Sequence, residues 1–367
     1  MAERIEAIYR IRAAAADITA RAQGIAVEQS VEMPLGAVIH AEVLRDIVGT
    51  VSDITDLGDS VFEVRIGLAA ATVGDDAGQL LNMLFGNTSL HDDVVLHDMI
   101  LPAEVAARFG GPNHGEAGMR RHLGAHNRAL TCSAIKPQGS PLSHLVAIAG
   151  AFTEGRIDWI KDDHGMADQD FGRFAPRMEA CAAAVQAAVR HTGHATRYAP
   201  SLSGTLDTMR QQIRQARDAG LDAALVAPMV AGFSTVQALV RENRDFTFLA
   251  HPSMGGAARI APPLLIGRLF RLIGGDAVVF PSHGGRFGYT TQTCTDLAAG
   301  ARADWHGMAP SMPVPAGGMT LARVGEILDF YGPRTMLLIG GSLLEARDRL
   351  AEETAAFTRA VVTHSYQ

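Results

Sequence analysis

The chain has 367 residues, 47% of them hydrophobic and 19% charged, with a formal net charge of −7. This length suits one large domain or two unequal ones, and the apolar share can build a sizeable core. The acidic balance offers no basic footprint for nucleic acid or for an anionic membrane surface.

The N-terminal stretch "MAERIEAIYR" is charged from the start and has no apolar signal-peptide core, so a cytoplasmic protein is expected. "ERIEAIYRIRA" (3–13) and "VFEVRIGLAA" (61–70) alternate like half-buried strands. "ADITARAQGIAVEQ" (16–29) and "DAGQLLNMLFG" (76–86) read as helices, which predicts a small α+β, ferredoxin-like domain over residues 1–125. The acidic run "HDDVVLHD", His91–Asp98, reads as a solvated strand edge rather than a metal site. "RFGGPNHGEAGMRRHLGAHNR" (108–128), polar and rich in Gly and His, reads as the join to the next domain.

From about residue 129 the pattern changes. Eight short apolar runs follow: "ALTCSAIKP", "IDWIKDD", "HATRYAPSL", "AALVAPMV", "FTFLAHPSM", "AVVFPSHGG", "MPVPAGGM" and "TMLLIGGSL". Helix-period segments such as "GTLDTMRQQIRQARDAG" separate them. Strands alternating with helices imply a parallel sheet with right-handed crossovers, and eight units predict a (β/α)8 TIM barrel over residues 126–367. An open doubly wound sheet is the competing arrangement, but no Gly-rich nucleotide turn follows the first run. "PLLIGRLFRLIGG" is broken by two arginines and is too short to span a bilayer. The three cysteines are far apart and form neither a zinc spacing nor a disulfide framework, which points to a reducing cytosol.

A barrel of this type builds its active site at the C-terminal ends of its strands. Only two of the 32 Lys and Arg residues are lysine, and both fall there. Lys136 ends the first run and Lys161 the second. Arginine stays protonated, whereas lysine can lose its proton and act as a base, a nucleophile or a carbamate former. In extended chain Lys161 and Asp163 share a face and should point together into the barrel mouth. A carboxylated lysine plus an aspartate gives hard oxygen ligands suited to Mg²⁺. His164 either completes that set or stands outside it, and an imidazole ligand would admit Mn²⁺. The Asp162–Asp163 pair taken alone reads equally well as a turn or a helix cap. A Schiff-base enzyme would also use a barrel lysine, but the adjoining aspartates favour metal.

"IDWIKDDHG" resembles the "GGxDxxKDDE" signature of ribulose-bisphosphate carboxylase/oxygenase large subunits, and "AIKPQG" is similar to their "TIKPKxG". "FGN" at Phe85–Asn87, "AVEQS" around Glu28, "AHPSM" at His251, "AGG" at Ala316–Gly318 and "IGG" at Ile339–Gly341 follow the family in order along almost the whole chain. The resemblance implies a carbamylated Lys161 (CO2 held as a lysine carbamate) binding Mg²⁺ with Asp163. It implies Lys136 as general base, and Gly317, Gly318, Gly340 and Gly341 on a substrate phosphate. His251 would orient substrate, and Asn87 and Glu28 would reach the active site of a neighbouring subunit in a homodimer.

The departures matter as much. The family's mobile-loop lysine is missing from "FPSHGGRFGYT", which holds His283 and Arg286 as candidates for the phosphate or for closing the site. Pro252 stands where the carboxylase has a phosphate-gripping arginine, Gln138 replaces a lysine and His164 a metal-binding glutamate. A CO2-fixing carboxylase is therefore not expected. The chain resembles the non-carboxylating, RuBisCO-like (form IV) branch. It is most like the short kind that isomerises 5-methylthioribulose 1-phosphate to 1-methylthioxylulose 5-phosphate in methionine salvage. Relatives that enolise 2,3-diketo-5-methylthiopentyl 1-phosphate, or decarboxylate a 3-oxo sugar-acid phosphate, share the first step. A non-catalytic sugar-phosphate sensor is the reading from another class, and the retention of both lysines argues against it.

Overall fold

The computed structural model describes residues 3–366. The chain forms two compact units, one of residues up to Gly110 together with Met254–Leu265, the other of Gly111–Ser253 and the remainder.

In the first unit, β1 (Arg4–Arg12), β2 (Thr50–Asp56), β3 (Val61–Ala69) and β4 (Val94–Ile100) make one antiparallel sheet in the order β2-β3-β1-β4. Helices Ile18–Glu28 and Ala77–Phe85 connect β1 to β2 and β3 to β4, which is the βαββαβ order of a ferredoxin-like fold. The alternation read in β1 is real: Ile5, Ala7, Tyr9 and Ile11 are buried, and the Tyr9 hydroxyl donates to Leu84 O at 2.6 Å. β4 is an edge strand, as the acidic run suggested, but Val94, Leu96 and Met99 on it are buried. Its free side is covered by the 254–265 strip: Leu96 N donates to Arg259 O and Ala261 N to Leu96 O. Covering an edge in this way satisfies its backbone groups.

The second unit is a parallel α/β barrel. Its strands are β5 (Leu130–Ile135), β6 (Trp159–Asp162), β7 (Arg197–Ala199), β8 (Ala223–Val226), β9 (Thr247–Ala250), β10 (Ala277–Pro281), β11 (Met312–Ala316) and β12 (Met336–Leu338). Each falls in one of the eight apolar runs. They pair as β12-β5-β6-β7 and β8-β9-β10-β11. A parallel bridge from Ser201 to Leu225 joins β7 to β8, and Thr335 Oγ1 donates to Pro313 O between β12 and β11. Cys132, Trp159, Ala199, Leu225, Leu249, Val279, Val314 and Leu338, one from each strand, pack together in the interior. The barrel is thus filled with side chains rather than open as a pore.

The segment read as a polar join is partly helical, Gly115–Arg121, and its Glu116, Met119 and Arg120 are buried. Long-range polar contacts explain this. The buried Asp276 carboxylate accepts from His114 N, Gly115 N and Phe248 N at 2.6–2.7 Å. Glu116 pairs with Arg120 and Arg334, and Arg120 donates to the carbonyls of Ala125, Arg128 and Pro333. Met119 joins the barrel core at the N-terminal ends of the strands, opposite the site described next. Among the described residues no helix is long and apolar enough to cross a membrane.

Candidate active site

β5 and β6 lie side by side with Ala134 opposite Lys161. With period-two alternation, Cys132, Ala134 and Lys136 face the same way as Trp159, Lys161 and Asp163. Trp159 and Cys132 fill the interior, so the next inward positions up, Lys161 and then Lys136 and Asp163, emerge at the C-terminal mouth. Lys136 Nζ lies 3.7 Å from Asp163 Oδ1, with the lysine side chain 30% exposed. A Cβ added to Gly340, at the end of β12, would sit 3.6 Å from Lys136 Cε and Nζ, so that turn runs beside the amine.

Lys161 is only 2% exposed, and its Nζ donates to Asp162 O at 3.0 Å. Burial pushes its amine below the ordinary lysine value, and the charge of Lys136 acts in the same direction. Burial would raise the Asp163 carboxyl, but the His164 hydrogen bond and the charges of Lys136 and Lys161 hold it well below the usual carboxylate range. His164 Nδ1 is 3.2 Å from Asp163 Oδ1. Its ring stacks on His251 with centroids 4.1 Å apart. His251 Nδ1 accepts from the Ser253 backbone N–H at 3.2 Å. Burial, then the charges of Lys161 and His164, push that imidazole down to about 2. His251 is therefore neutral and carries its proton on Nε2, a hydrogen-bond donor.

The two aspartates of the "DD" pair part company. Asp163 turns inward, whereas Asp162 is buried on the outer side. Its carboxylate takes Tyr198 OH at 2.7 Å, Ser201 N at 3.2 Å and Arg177 at 3.4 Å. Arg177 also donates to Ala167 O and Gly172 O, which pins the loop after β6 from behind. This support was missed in the sequence. The only hint was that Asp162 is out of phase with Lys161 and Asp163.

Two strands from β5, Gly317 and Gly318 follow β11 with φ of 85° and 88°. A Cβ on Gly317 would come within 2.9 Å of the Phe287 ring, so glycine is needed there both for the left-handed backbone and for the approach. Arg286 is exposed, its guanidinium over the Phe287 ring. Gly340 precedes a single turn, Gly341–Leu344. The His283 ring packs on Phe330. In the first unit, Asn87 Nδ2 donates to Glu28 Oε1 at 2.9 Å and to Glu32 Oε1 at 2.8 Å. These residues line one shallow polar pocket, with Glu32 the member that sequence reading had not singled out.

The family model of the ribulose bisphosphate carboxylase large chain, catalytic domain, matches residues 115–346. A 5-methylthioribulose-1-phosphate isomerase of Rhodospirillum rubrum is 57% identical over 98% of this chain and 97% of its own. A 2,3-diketo-5-methylthiopentyl-1-phosphate enolase of Geobacillus kaustophilus is 30% identical over 89% of this chain and 84% of its own. The crystal structure of a Rubisco-like protein from Rhodopseudomonas palustris superimposes with a TM-score of 0.94 at 48% identity, covering both chains completely. The chain belongs to the ribulose bisphosphate carboxylase large-chain family, among its RuBisCO-like proteins.

Proposed function

We propose that this chain is an isomerase that converts 5-methylthioribulose 1-phosphate to 1-methylthioxylulose 5-phosphate by successive enolisations. The observation that carries the reading is the meeting of the chain's two lysines with Asp163 at adjacent strand ends. The 57% identical isomerase relative supports the choice of substrate.

Moving the carbonyl from C2 to C4 takes two successive enolisations of the same kind. Lys136, as general base, removes the proton on C3 and returns one to C2. It then removes the proton on C4 and returns one to C3. Each pass goes through an enediolate, and the hydroxyl proton of the carbon that becomes the carbonyl passes to the former carbonyl oxygen. Nε2–H of His251 donates to a substrate oxygen and fixes which carbon faces Lys136. The backbone amides of Gly317, Gly318, Gly340 and Gly341 receive the phosphate, with Arg286 as a charged neighbour.

Lys161, Asp163 and His164 are the residues that would hold Mg²⁺ or Mn²⁺. The fit rests on Lys161: burial shifts its amine toward the neutral form, the form that combines with CO2, loses a proton and becomes a carbamate. Among the described residues no three His, Cys, Asp or Glu side chains are grouped as a metal site, and carbamate oxygens on Lys161 would add donors beside Asp163 and His164. A bound divalent cation there supplies a Lewis acid for the carbonyl oxygen. Three buried free cysteines accord with a cytoplasmic location. The residue 1–125 domain, through Asn87 and Glu28, would complete the 126–367 barrel of a second subunit in a homodimer.

The enolase-type reading keeps Lys136 in the same role on a diketone, and the 30% identical relative speaks for it. Phosphorus NMR of the protein with 5-methylthioribulose 1-phosphate, Mg²⁺ and bicarbonate separates the two. A new pentulose 5-phosphate resonance supports the isomerase. An unchanged spectrum, with turnover of the diketone phosphate instead, replaces it by the enolase.

A further inference from the structure

The loop after β10 carries Arg286 and Phe287, and it is tied down by a residue outside the site. Arg323 ends the short helical turn Leu321–Arg323 beyond β11. One edge of its guanidinium meets the loop: Nη1 donates to Gly284 O at 3.1 Å and Nη2 to His283 O at 3.2 Å. The other is gripped by Glu326, with Nε and Nη2 at 2.9 and 2.7 Å from the two carboxylate oxygens. Such a forked pair fixes the plane of the guanidinium, and so the direction in which it offers hydrogen to the loop.

The loop is also laid directly on the Gly317–Gly318 turn. Ser282 N donates to Ala316 O at 2.8 Å and Arg286 N to Gly317 O at 3.4 Å. A Cβ on Gly285 would lie 2.1 Å from Gly317 O, and one on Gly284 would lie 2.9 Å from Arg323 Nη2. Glycine at both positions permits the two approaches.

We propose that Arg323, braced by Glu326, is a positioning residue that holds the loop after β10 against the Gly317–Gly318 turn, so that Arg286 and Phe287 flank the phosphate end before substrate arrives. This rests on the reading that the Gly317–Gly318 turn receives the phosphate. The loop is then a fixed wall, where a free lid would have to order on binding and would weaken affinity for the phosphate. Arg323 and Glu326 are themselves partly exposed, so their loss costs little global stability.

The test compares wild type with Arg323→Ala, Arg323→Lys and Glu326→Gln in the intact assembly. Hydrogen–deuterium exchange over 282–288 should accelerate several-fold in Arg323→Ala and less in Glu326→Gln. Affinity for inorganic phosphate should weaken about tenfold, and KM for the sugar phosphate should rise by a similar factor with kcat changed far less. Arg323→Lys keeps the charge without the fork and should recover part of each effect. Unchanged exchange in Arg323→Ala overturns the clamp. Faster exchange with unaltered phosphate affinity overturns the positioning role. A wild type that does not turn over the sugar phosphate removes the proposed function alone, because the exchange and phosphate measurements still decide on Arg323.

Discussion

Replacing Asp158 by asparagine removes the charge that ties the bases of β5 and β6, the strands whose other ends carry Lys136 and Lys161. The Asp158 carboxylate is fully buried. It accepts from Arg128 at 2.6 and 2.7 Å, from Thr131 N at 2.9 Å and from Thr131 Oγ1 at 3.1 Å, with His194 at 3.2 Å. Burial would raise its pKa, but Arg128 and His194 outweigh burial and bring it from 3.8 to about 2. A depression of nearly two units corresponds to about 2–3 kcal/mol of folding stability. Because the folded-state value is the lower one, this contribution is complete above about pH 4 and is lost as the pH falls through about 2. Asp158→Asn should therefore lower the melting temperature at pH 7 by about 3–6 °C. The gap to wild type should shrink by roughly half near pH 3. Paired thermal melts followed by circular dichroism at the two pH values provide the assay, and KM at 25 °C should stay at the wild-type value. Equal melting temperatures at pH 7, or a gap that widens on acidification, would mean that the Asp158 charge does not stabilise the fold.

Lys136→Met should leave the protein folded but cut isomerisation and substrate deuterium exchange by about 10²–10⁴-fold, and wild-type exchange in the variant would take the base assignment away from Lys136. Lys161→Arg should lose metal- and bicarbonate-dependent activity, together with the carbamate carbon resonance seen in wild type under ¹³C-bicarbonate; full activity in the variant would end the carbamate proposal. Gly317→Ala should raise KM for the phosphorylated substrate and cost about 1–2 kcal/mol of stability, because its φ of 85° and the Phe287 ring both oppose a side chain. A urea titration and a Michaelis curve on one preparation check both effects.

The barrel was legible because its strands are short apolar runs ended by Gly, Pro, Ser or charge, and a filled barrel demands them eight times over. The inward direction of Lys161 and Asp163 followed from period two alone. β2, Thr50–Asp56, was not legible: it is the sheet's polar edge strand and most of its side chains are exposed, so no apolar alternation marks it. The helix Gly115–Arg121 was hidden for the opposite reason. Its polar residues are buried, and the partners that make this tolerable, Asp276 and Arg334, are far away in the chain. Arg323 gave no sign in sequence either, since what it holds are backbone carbonyls about 40 residues upstream, which carry no residue-type signal.

In the proposed mechanism Lys136 moves protons between neighbouring carbons of a methylthiopentulose phosphate. Proton NMR in D2O, with 5-methylthioribulose 1-phosphate, Mg²⁺ and bicarbonate, measures that directly. The expected product is 1-methylthioxylulose 5-phosphate with deuterium at the carbons that passed through an enediolate. A substrate that keeps all its carbon-bound protons and yields no product would contradict it.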